Sequence, residues 1–472
     1  MIILPILLFS LGALAYGPPS SRQCETARYE NRPRVFVCTD MSNEPDDQMS
    51  FVRFLTYSNE LDIQGVAAVT SVWLNDTTDA PTIRKVAQAY GNVTNNLSAN
   101  VPASARYPQD IPIYEGHKVY GLEALKLAPS NAALALIKAA DASTTDKPLW
   151  VTLWGGAAVL AEALNHVEQT RGQSSATKFA QNLRVYSISD QDDAGAWIRQ
   201  RYPQLFYIVS LHGFSEYTQA TWNGISGELW RHFDKGGPDT TLVTNEWLQR
   251  IRIGPLGHYY LNFSIIMEGD TPSFLPLIQN GLGDPEHPEW GNWGGRYILM
   301  DMSGAHRVFS NAADFVIGKS GDTYLSSFAS IWRWRQAYQY DFAARMAWSV
   351  NGDYKSNNHH PIAIVNGTCG PKVMTVNYKF GNKVVLDARE SWDPDGDSLR
   401  FGWLHYREVV QRLEGPIDRV SHNITIVNLT KSGSLVSLEP KDNITMHIVL
   451  SVEDDRDMSL TTYRRIILEP SA

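Results

Sequence analysis

Arg34-Val35-Phe36-Val37-Cys38-Thr39-Asp40-Met41-Ser42-Asn43-Glu44-Pro45-Asp46-Asp47 is the stretch on which the reading of the fold turns. Val35 to Cys38 run without a polar break, as in a strand covered on both faces. Asp46 to Tyr57 then reads as a helix. Between them lie Asp40, Glu44, Asp46 and Asp47, acids that repel one another unless solvated, protonated or bound to a cation. Oxygen-rich clusters of this kind suit Ca²⁺ or Mg²⁺. Helix capping accounts for part of the set, since negative charge in a first turn is favoured by the macrodipole. It explains one or two of these acids and leaves Asp40 and Glu44 over.

Outward from this stretch, strand-like and helix-like segments alternate up to about Ser349. Ile63–Val69, Leu149–Trp154, Leu183–Ile188 and Leu205–Val209 read as strands. Thr82–Tyr90, Ala157–Val167 and Ala194–Tyr202 read as helices. Such alternation predicts an α/β domain with a mostly parallel sheet covered by helices. Ligands of such sheets sit at the carboxyl ends of the strands, which makes the acids after Thr39 the first candidates. Asn351 to Asn358 is polar and reads as a linker. Beyond it, Val373–Tyr378, Lys383–Asp387, Leu399–Tyr406, Ile424–Leu429, Met446–Val452 and Tyr463–Leu468 are short strand-like runs separated by turn residues, the pattern of a β-sandwich.

The start of the chain conditions the rest. Ile2 to Leu14 is almost wholly apolar and Ala13-Leu14-Ala15 offers a small-x-small cleavage pattern. The run is shorter than the roughly 20 residues a bilayer span needs. The expected organisation is a signal peptide over 1–15, an α/β domain over 16–350 and a sandwich over 360–472, in a secreted, extracellular protein. Asn-x-Ser/Thr sequons at Asn75, Asn92, Asn96, Asn262, Asn366, Asn423, Asn428 and Asn443 fit that compartment as glycosylation sites. A formal charge of −9 over 472 residues argues against nucleic acid or an anionic membrane as partner. Of the three cysteines, Cys38 sits in the apolar strand and reads as a buried thiol. Cys24 and Cys369 are left as a pair that could tie the N-terminal arm to the second domain.

The segment from Asp40 to Asp47 resembles the Asp-Thr-Asp-Pro-Gly-x-Asp-Asp signature of the calcium-dependent nucleoside hydrolases, with Asp40, Asp46 and Asp47 in register. The second Asp of that signature falls on Ser42, and Glu44 is the residue that could compensate. Leu149 to Leu164 is similar to the family's strand-Gly-Pro-Leu-Thr-Asn-helix element, with Ala158 where a Thr carbonyl binds calcium. Met267-Glu268-Gly269-Asp270 resembles the Glu-x-Asn that grips ribose hydroxyls. Asp341 falls where the family has a far calcium ligand, and Tyr340 where some members have an acid His. The resemblance therefore implies Ca²⁺ on Asp40, Asp47, Ala158 and Asp341. It also implies catalysis by Asp40, Asp46 and Asp47, a sugar grip by Glu268 and Asp270, and a tendency to homo-oligomerise.

A closer likeness spans nearly the whole mature chain. Trp154-Gly155-Gly156, Asp190 to Gly195, Glu268 to Ser273, Trp290 to Tyr297 and Trp332-Arg333-Trp334-Arg335 together resemble the secreted cellulose-binding, nucleoside-hydrolase-like proteins. Leu386 to Trp403 resembles the polycystic-kidney-disease type of immunoglobulin-like domain, in keeping with that family's C-terminal sandwich.

Several clusters have an ordinary explanation beside the functional one. Asp192 or Asp193 can cap the following helix or serve a pocket. Trp290 and Trp293, set among glycines, are expected as flat faces for a sugar ring. Trp332 and Trp334 read as core, with Arg333 and Arg335 pairing charge. Asp393, Asp395 and Asp397 alternate like calcium-loop ligands, but the Pro-Asp-Gly turn is the simpler reading. His212, His258 and His306 are candidate acids, each more often structural. No G-x-G-x-x-G, P-loop, G-x-S-x-G or H-E-x-x-H occurs, so dinucleotide, nucleotide-triphosphate, serine-hydrolase and zincin chemistry gain no support. The expectation is a hydrolase of glycosyl bonds acting on an extracellular glycoside or polysaccharide fragment. The alternative is a non-catalytic protein that binds cellulose or another carbohydrate.

Overall fold

β1 (Arg34–Thr39) is buried at every residue, as its apolar run predicts. The computed structural model describes residues 21–410 and 424–471, so the expected signal peptide and Asn423 lie outside the described residues. The other strands of the large sheet are β2 (Asp62–Ala68), β3 (Ile113–Glu115), β4 (Leu149–Leu153), β5 (Leu183–Ser187), β6 (Phe206–Val209), β7 (Tyr297–Leu299) and β8 (Val308–Asn311). Their order is β3-β2-β1-β4-β5-β6-β8-β7. All pairings are parallel except the edge pair β7–β8.

The chain leaves β1 toward one edge and comes back to build the other from β4. β1 and β4 are neighbours, Cys38 lying opposite Leu153. Their carboxyl ends flank the point where the winding reverses, and there a doubly wound sheet opens a crevice. Two apolar layers close the faces. One holds Phe54, Trp154 and Phe274, with Phe54 edge-on to both other rings. The other holds Leu136, Leu160, Leu164 and Val185. The helix Pro45–Thr56 begins within the acidic stretch, directly after Glu44, with Pro45 in its first turn, where a missing N–H costs nothing.

The second domain is a sandwich. One sheet orders Met374–Tyr378, Thr461–Pro470, Met446–Asp454 and Leu399–His405; the other orders Val384–Asp387, Leu435–Pro440 and Ile424–Asn428. Leu386, Val436, Leu438, Ile448, Leu450 and Ile466 fill the space between them. Sequence reading missed Leu435–Pro440, which is the centre of its sheet and pairs on both sides.

The two domains are fastened together. A disulfide joins Cys24 to Cys369, and Cys38 is free and buried. Tyr406 of the second domain donates to Asp314 (2.6 Å), which also pairs with Arg296 and Arg333. Arg465 donates to the carbonyls of Leu282 and Trp290. The expected linker is pinned as well: Asn357 is buried, and its Nδ2 donates to Asn100 and to the carbonyl of Asn351. Among the described residues no helix is long and apolar enough to cross a membrane.

Candidate functional site

The crevice beyond β1 and β4 holds a cavity of about 300 Å³ lined by Asp40, Glu44, Asp46, Asp47 and Asp270. Its walls include Trp73, Trp154, Tyr217 and Trp222. Asp40 follows β1 directly, and Asp46 and Asp47 open the helix Pro45–Thr56. Asp270 arrives from a distant loop whose placement depends on that same helix. Arg53, two turns further along, is fully buried and pairs with Glu268 at 2.6 Å. Glu268 is held in the left-handed region at φ 54°, with Tyr260 and Thr271 donating to it. This clamp sets Asp270 beside Asp46 and Asp47.

Close approach explains the glycines. A Cβ on Gly155 would fall 2.8 Å from Asp40, and one on Gly269 would fall 2.7 Å from Asp46 Oδ2. The sequences Trp-Gly-Gly and Glu-Gly-Asp therefore bring backbone against carboxylates at positions a side chain could not occupy.

Asp40, Asp46 and Asp270 are at most 6% exposed, and each has one carboxylate oxygen without a hydrogen-bond partner. Burial pushes Asp40 up to about 7 and, with Glu44 and Asp40 nearby, Asp46 up to about 8. Burial and neighbouring acids push Asp47 and Asp270 well above the usual carboxylate range. Thr39 donates to Asp47, which fixes its rotamer from the strand end. Oxygens of Asp46, Asp47 and Asp270 come within 4.8 Å of one another. Orphaned, mutually repelling oxygens in an all-oxygen donor set fit a hard divalent cation such as Ca²⁺. The residues that could hold it are Asp46, Asp47 and Asp270.

That set corrects several sequence expectations. Asp341 does not line the cavity: its carboxylate is taken by Arg345 at 2.6 Å and by His360 in a buried ion network. Ala158 is the first residue of the helix Ala158–Arg171, where its N–H is capped by Asp192 at 3.1 Å. A carbonyl in a first turn points along the helix, away from the N-terminal mouth. Glu268 is spent on Arg53 and positions the loop, so of the expected sugar grip only Asp270 reaches the cavity. Trp293 is fully buried against Tyr338 and Tyr463, and Trp290 stacks on His287 near the second domain. Neither offers a face to a ligand in the cavity. Tyr340 is likewise absent from the cavity wall.

Ser42 is exposed at φ 77° and donates to Asp79 at 2.6 Å, away from the acids. Glu44 lines the cavity instead. The capping explanation holds for Asp192, which accepts from the N–H groups of both Ala158 and Ala194. Asp190 pairs with Arg199. Trp332 and Trp334 are buried, with Arg333 and Arg335 paired to Asp314 and Glu228. Asp393 accepts from the N–H groups of Asp395 and Asp397, as a turn requires, while Asp395 holds His359 and Asp397 holds Arg456. His212 approaches the site, with Nε2 at 2.9 Å from Ser189. His306 pairs with Asp301 and His258 packs edge-on to Tyr259. Asn75, Asn92, Asn262, Asn366, Asn428 and Asn443 are exposed. Asn96 donates through Nδ2 to the carbonyls of Ser349 and Val350.

Sequence reasoning missed Trp73, Ser189 and Gln191, all of which line the cavity. The rule that ligands meet strand ends could have found them, since they follow β2 and β5. Trp222 and Arg231 come from the irregular segment after β6 and carried no periodic signal.

Fold and cavity together define an α/β protein of the nucleoside-hydrolase type, its carboxylates at the switch point and an immunoglobulin-like sandwich behind it. Residues 34–297 match the family described as cellulose-binding Sde182, nucleoside hydrolase-like domain, and residues 383–470 match the C-terminal domain of cellulose-binding protein Sde0182. The chain belongs to this family. A solved structure described as a nucleoside hydrolase-related hypothetical protein from Saccharophagus degradans, associated with carbohydrate metabolism, is 31% identical. It covers 93% of this chain and 100% of its own, with a TM-score of 0.73. More distant are the type III effector XopQ complexed with adenosine diphosphate ribose and the PKD domain of KIAA 1837 protein. XopQ is 12% identical over 70% of this chain and 96% of its own, TM-score 0.32. The PKD domain is 15% identical over 21% and 82%, TM-score 0.15. No curated protein matches the chain.

Proposed function

We propose that this protein is a secreted hydrolase of glycosyl bonds that takes an extracellular glycoside or a polysaccharide fragment into the carboxylate cavity. The observation that carries the reading is the convergence of Asp40, Asp46, Asp47 and Asp270 on one cavity, three of them (Asp40, Asp46 and Asp270) with an unpartnered buried oxygen. Buried acids without partners are costly to stability, and such cost clusters where chemistry needs it.

Asp46, Asp47 and Asp270 would hold Ca²⁺, which when bound supplies a polarised water and a grip on vicinal hydroxyls. Asp40 is placed to accept a proton: it is buried, has a free Oδ2, and lies near 7, where a base works at neutral pH. Trp73, Trp154 and Trp222 wall the sugar and exclude bulk water. The remaining acids favour positive charge at the anomeric carbon, as in glycoside hydrolysis generally. A family described as cellulose-binding supports a carbohydrate ligand, which the expected signal peptide and exposed sequons would bring the protein out to meet.

One observation favours a binding protein instead. Ser42 stands where the resemblance implies a water-activating Asp, and it faces Asp79. Calorimetry with Ca²⁺ on the native protein and on Asp47→Ala, followed by a glycoside and nucleoside hydrolysis screen, separates the two. Tight binding lost in Asp47→Ala, with turnover of any glycoside, is the expected result. Without calcium binding the metal-assisted reaction fails; calcium binding without turnover leaves a carbohydrate-binding cleft.

A further inference from the structure

Among the described residues lining the cavity, Arg231 is the only Lys or Arg. It ends the short helix Glu228–Arg231, half-buried in the cavity wall. Its Nε is buried and has no hydrogen-bond partner. Burial alone moves its pKa, downward, with no carboxylate opposing the shift. Arg53, Arg335 and Arg345 are each locked to a carboxylate, and the buried Arg465 donates to the carbonyls of Leu282 and Trp290. Among the described residues, the Lys/Arg cation of this acidic cavity has no carboxylate partner.

Trp222 shows how the two charges are spaced. The Arg231 guanidinium lies 6.0 Å from the centroid of the Trp222 ring. The same indole abuts Gly269, whose absent Cβ would meet Trp222 at 3.1 Å and Asp46 at 2.7 Å. One indole therefore borders both the cation and the loop beside the acids, and Trp222, Arg231, Asp46 and Asp270 all line the same cavity. A flat ring with hydroxyls at one end and an anion at the other finds a partner for each end there. A neutral sugar would leave the guanidinium partly desolvated with no counter-charge, which is unfavourable.

We propose that the cavity selects an anionic glycosyl residue, its ring on Trp222, its hydroxyls toward Asp46, Asp47 and Asp270, and its carboxylate or sulfate paired with Arg231. The inference rests on the glycoside reading of the cavity. Guanidinium forms a two-point contact with either anion, which gives geometry as well as charge.

The test is calorimetry on the full-length protein in calcium, with methyl glucoside, the matching methyl glucuronide and methyl glucoside 6-sulfate. One anionic sugar is expected to bind about tenfold or more tightly than the neutral one, and its identity separates carboxylate from sulfate. In Arg231→Gln the ratio is expected to fall to near one; Arg231→Lys, keeping charge without the fork, retains part of it. Equal binding of neutral and anionic sugars by the native protein overturns the inference and leaves the glycoside site standing. A preference that survives in Arg231→Gln overturns Arg231 as its source. If none of the three sugars binds, the glycoside reading fails and this inference with it.

Discussion

Asp46 shows how one residue can be unfavourable for folding and, in the proposed function, be needed at the site. Its Oδ1 has no partner, and burial beside Glu44 and Asp40 pushes its carboxyl up to about 8. The folded protein thus holds a proton that the unfolded chain, with an ordinary Asp near 3.8, has released. With more protons bound in the native state, stability falls as pH rises between those two values. A cation in the cluster reverses this by taking the proton's place. Asp46→Asn is accordingly expected to stabilise the chelator-treated protein by roughly 1–3 kcal/mol at pH 8, an advantage that shrinks toward pH 4. The same change is expected to abolish turnover. Thermal melts with and without Ca²⁺ at both pH values read the first effect, and a glycoside assay reads the second. Equal melts of native and variant proteins at pH 8 in chelator would mean the cluster is not repulsive.

At the scale of elements, the helix Pro45–Thr56 supplies two acids from its first turn and, from further along the same element, the arginine that positions a third. Arg53 and Glu268 are both fully buried, and Arg53 also lies over the Phe342 ring at 4.2 Å. Removing the cation leaves a carboxylate with no counter-charge in the core. Arg53→Met is expected to cost about 3–5 kcal/mol in urea unfolding. Glu268→Gln, which can still accept from Tyr260 and Thr271, is expected to cost less. Both are expected to weaken calcium binding, because Asp270 is held through this pair. A calcium isotherm unchanged in both would separate the clamp from the site. The helix and its acidic first turn were legible in the sequence through the strand-acid-helix order. The clamp was not, since nothing local distinguishes a buried Arg–Glu pair from a solvated one.

At the scale of the whole molecule, the junction between domains is built from polar groups in a dry setting. His447 accepts from Arg465, and burial with that guanidinium holds its pKa down to about 3. Burial and Arg28 hold His360 down to about 4, although Asp341 beside it acts the other way. Both histidines are neutral in the folded protein, whereas unfolded ones take a proton below about 6.5. Stability contributed by these groups is therefore present above about 6.5 and is lost as pH falls from there toward 4. The expected loss is about 2 kcal/mol for each histidine by pH 5. Melting with saturating calcium from pH 7.5 to 5 checks it, and His447→Gln, which keeps an acceptor for Arg465, is expected to flatten the slope. An identical slope in that variant would remove His447 from the account.

The sequence by itself determined the large pattern. The apolar run ending at Thr39, the alternation up to Ser349 and the short strands beyond the linker settle a parallel sheet followed by a sandwich. Periodicity is local, and burial of one face or of both leaves its mark within a few residues. The same logic put the acids after β1 in the crevice. What only the tertiary structure decided is which distant acid joins them. Glu268, Asp270 and Asp341 look alike in sequence, yet one is held by Arg53, one opens into the cavity and one is held by Arg345. Trp293 went to the core and Trp73 to the mouth. A carboxylate or an indole takes its role from whatever folding sets opposite it, and for Glu268 that neighbour, Arg53, lies 215 positions away.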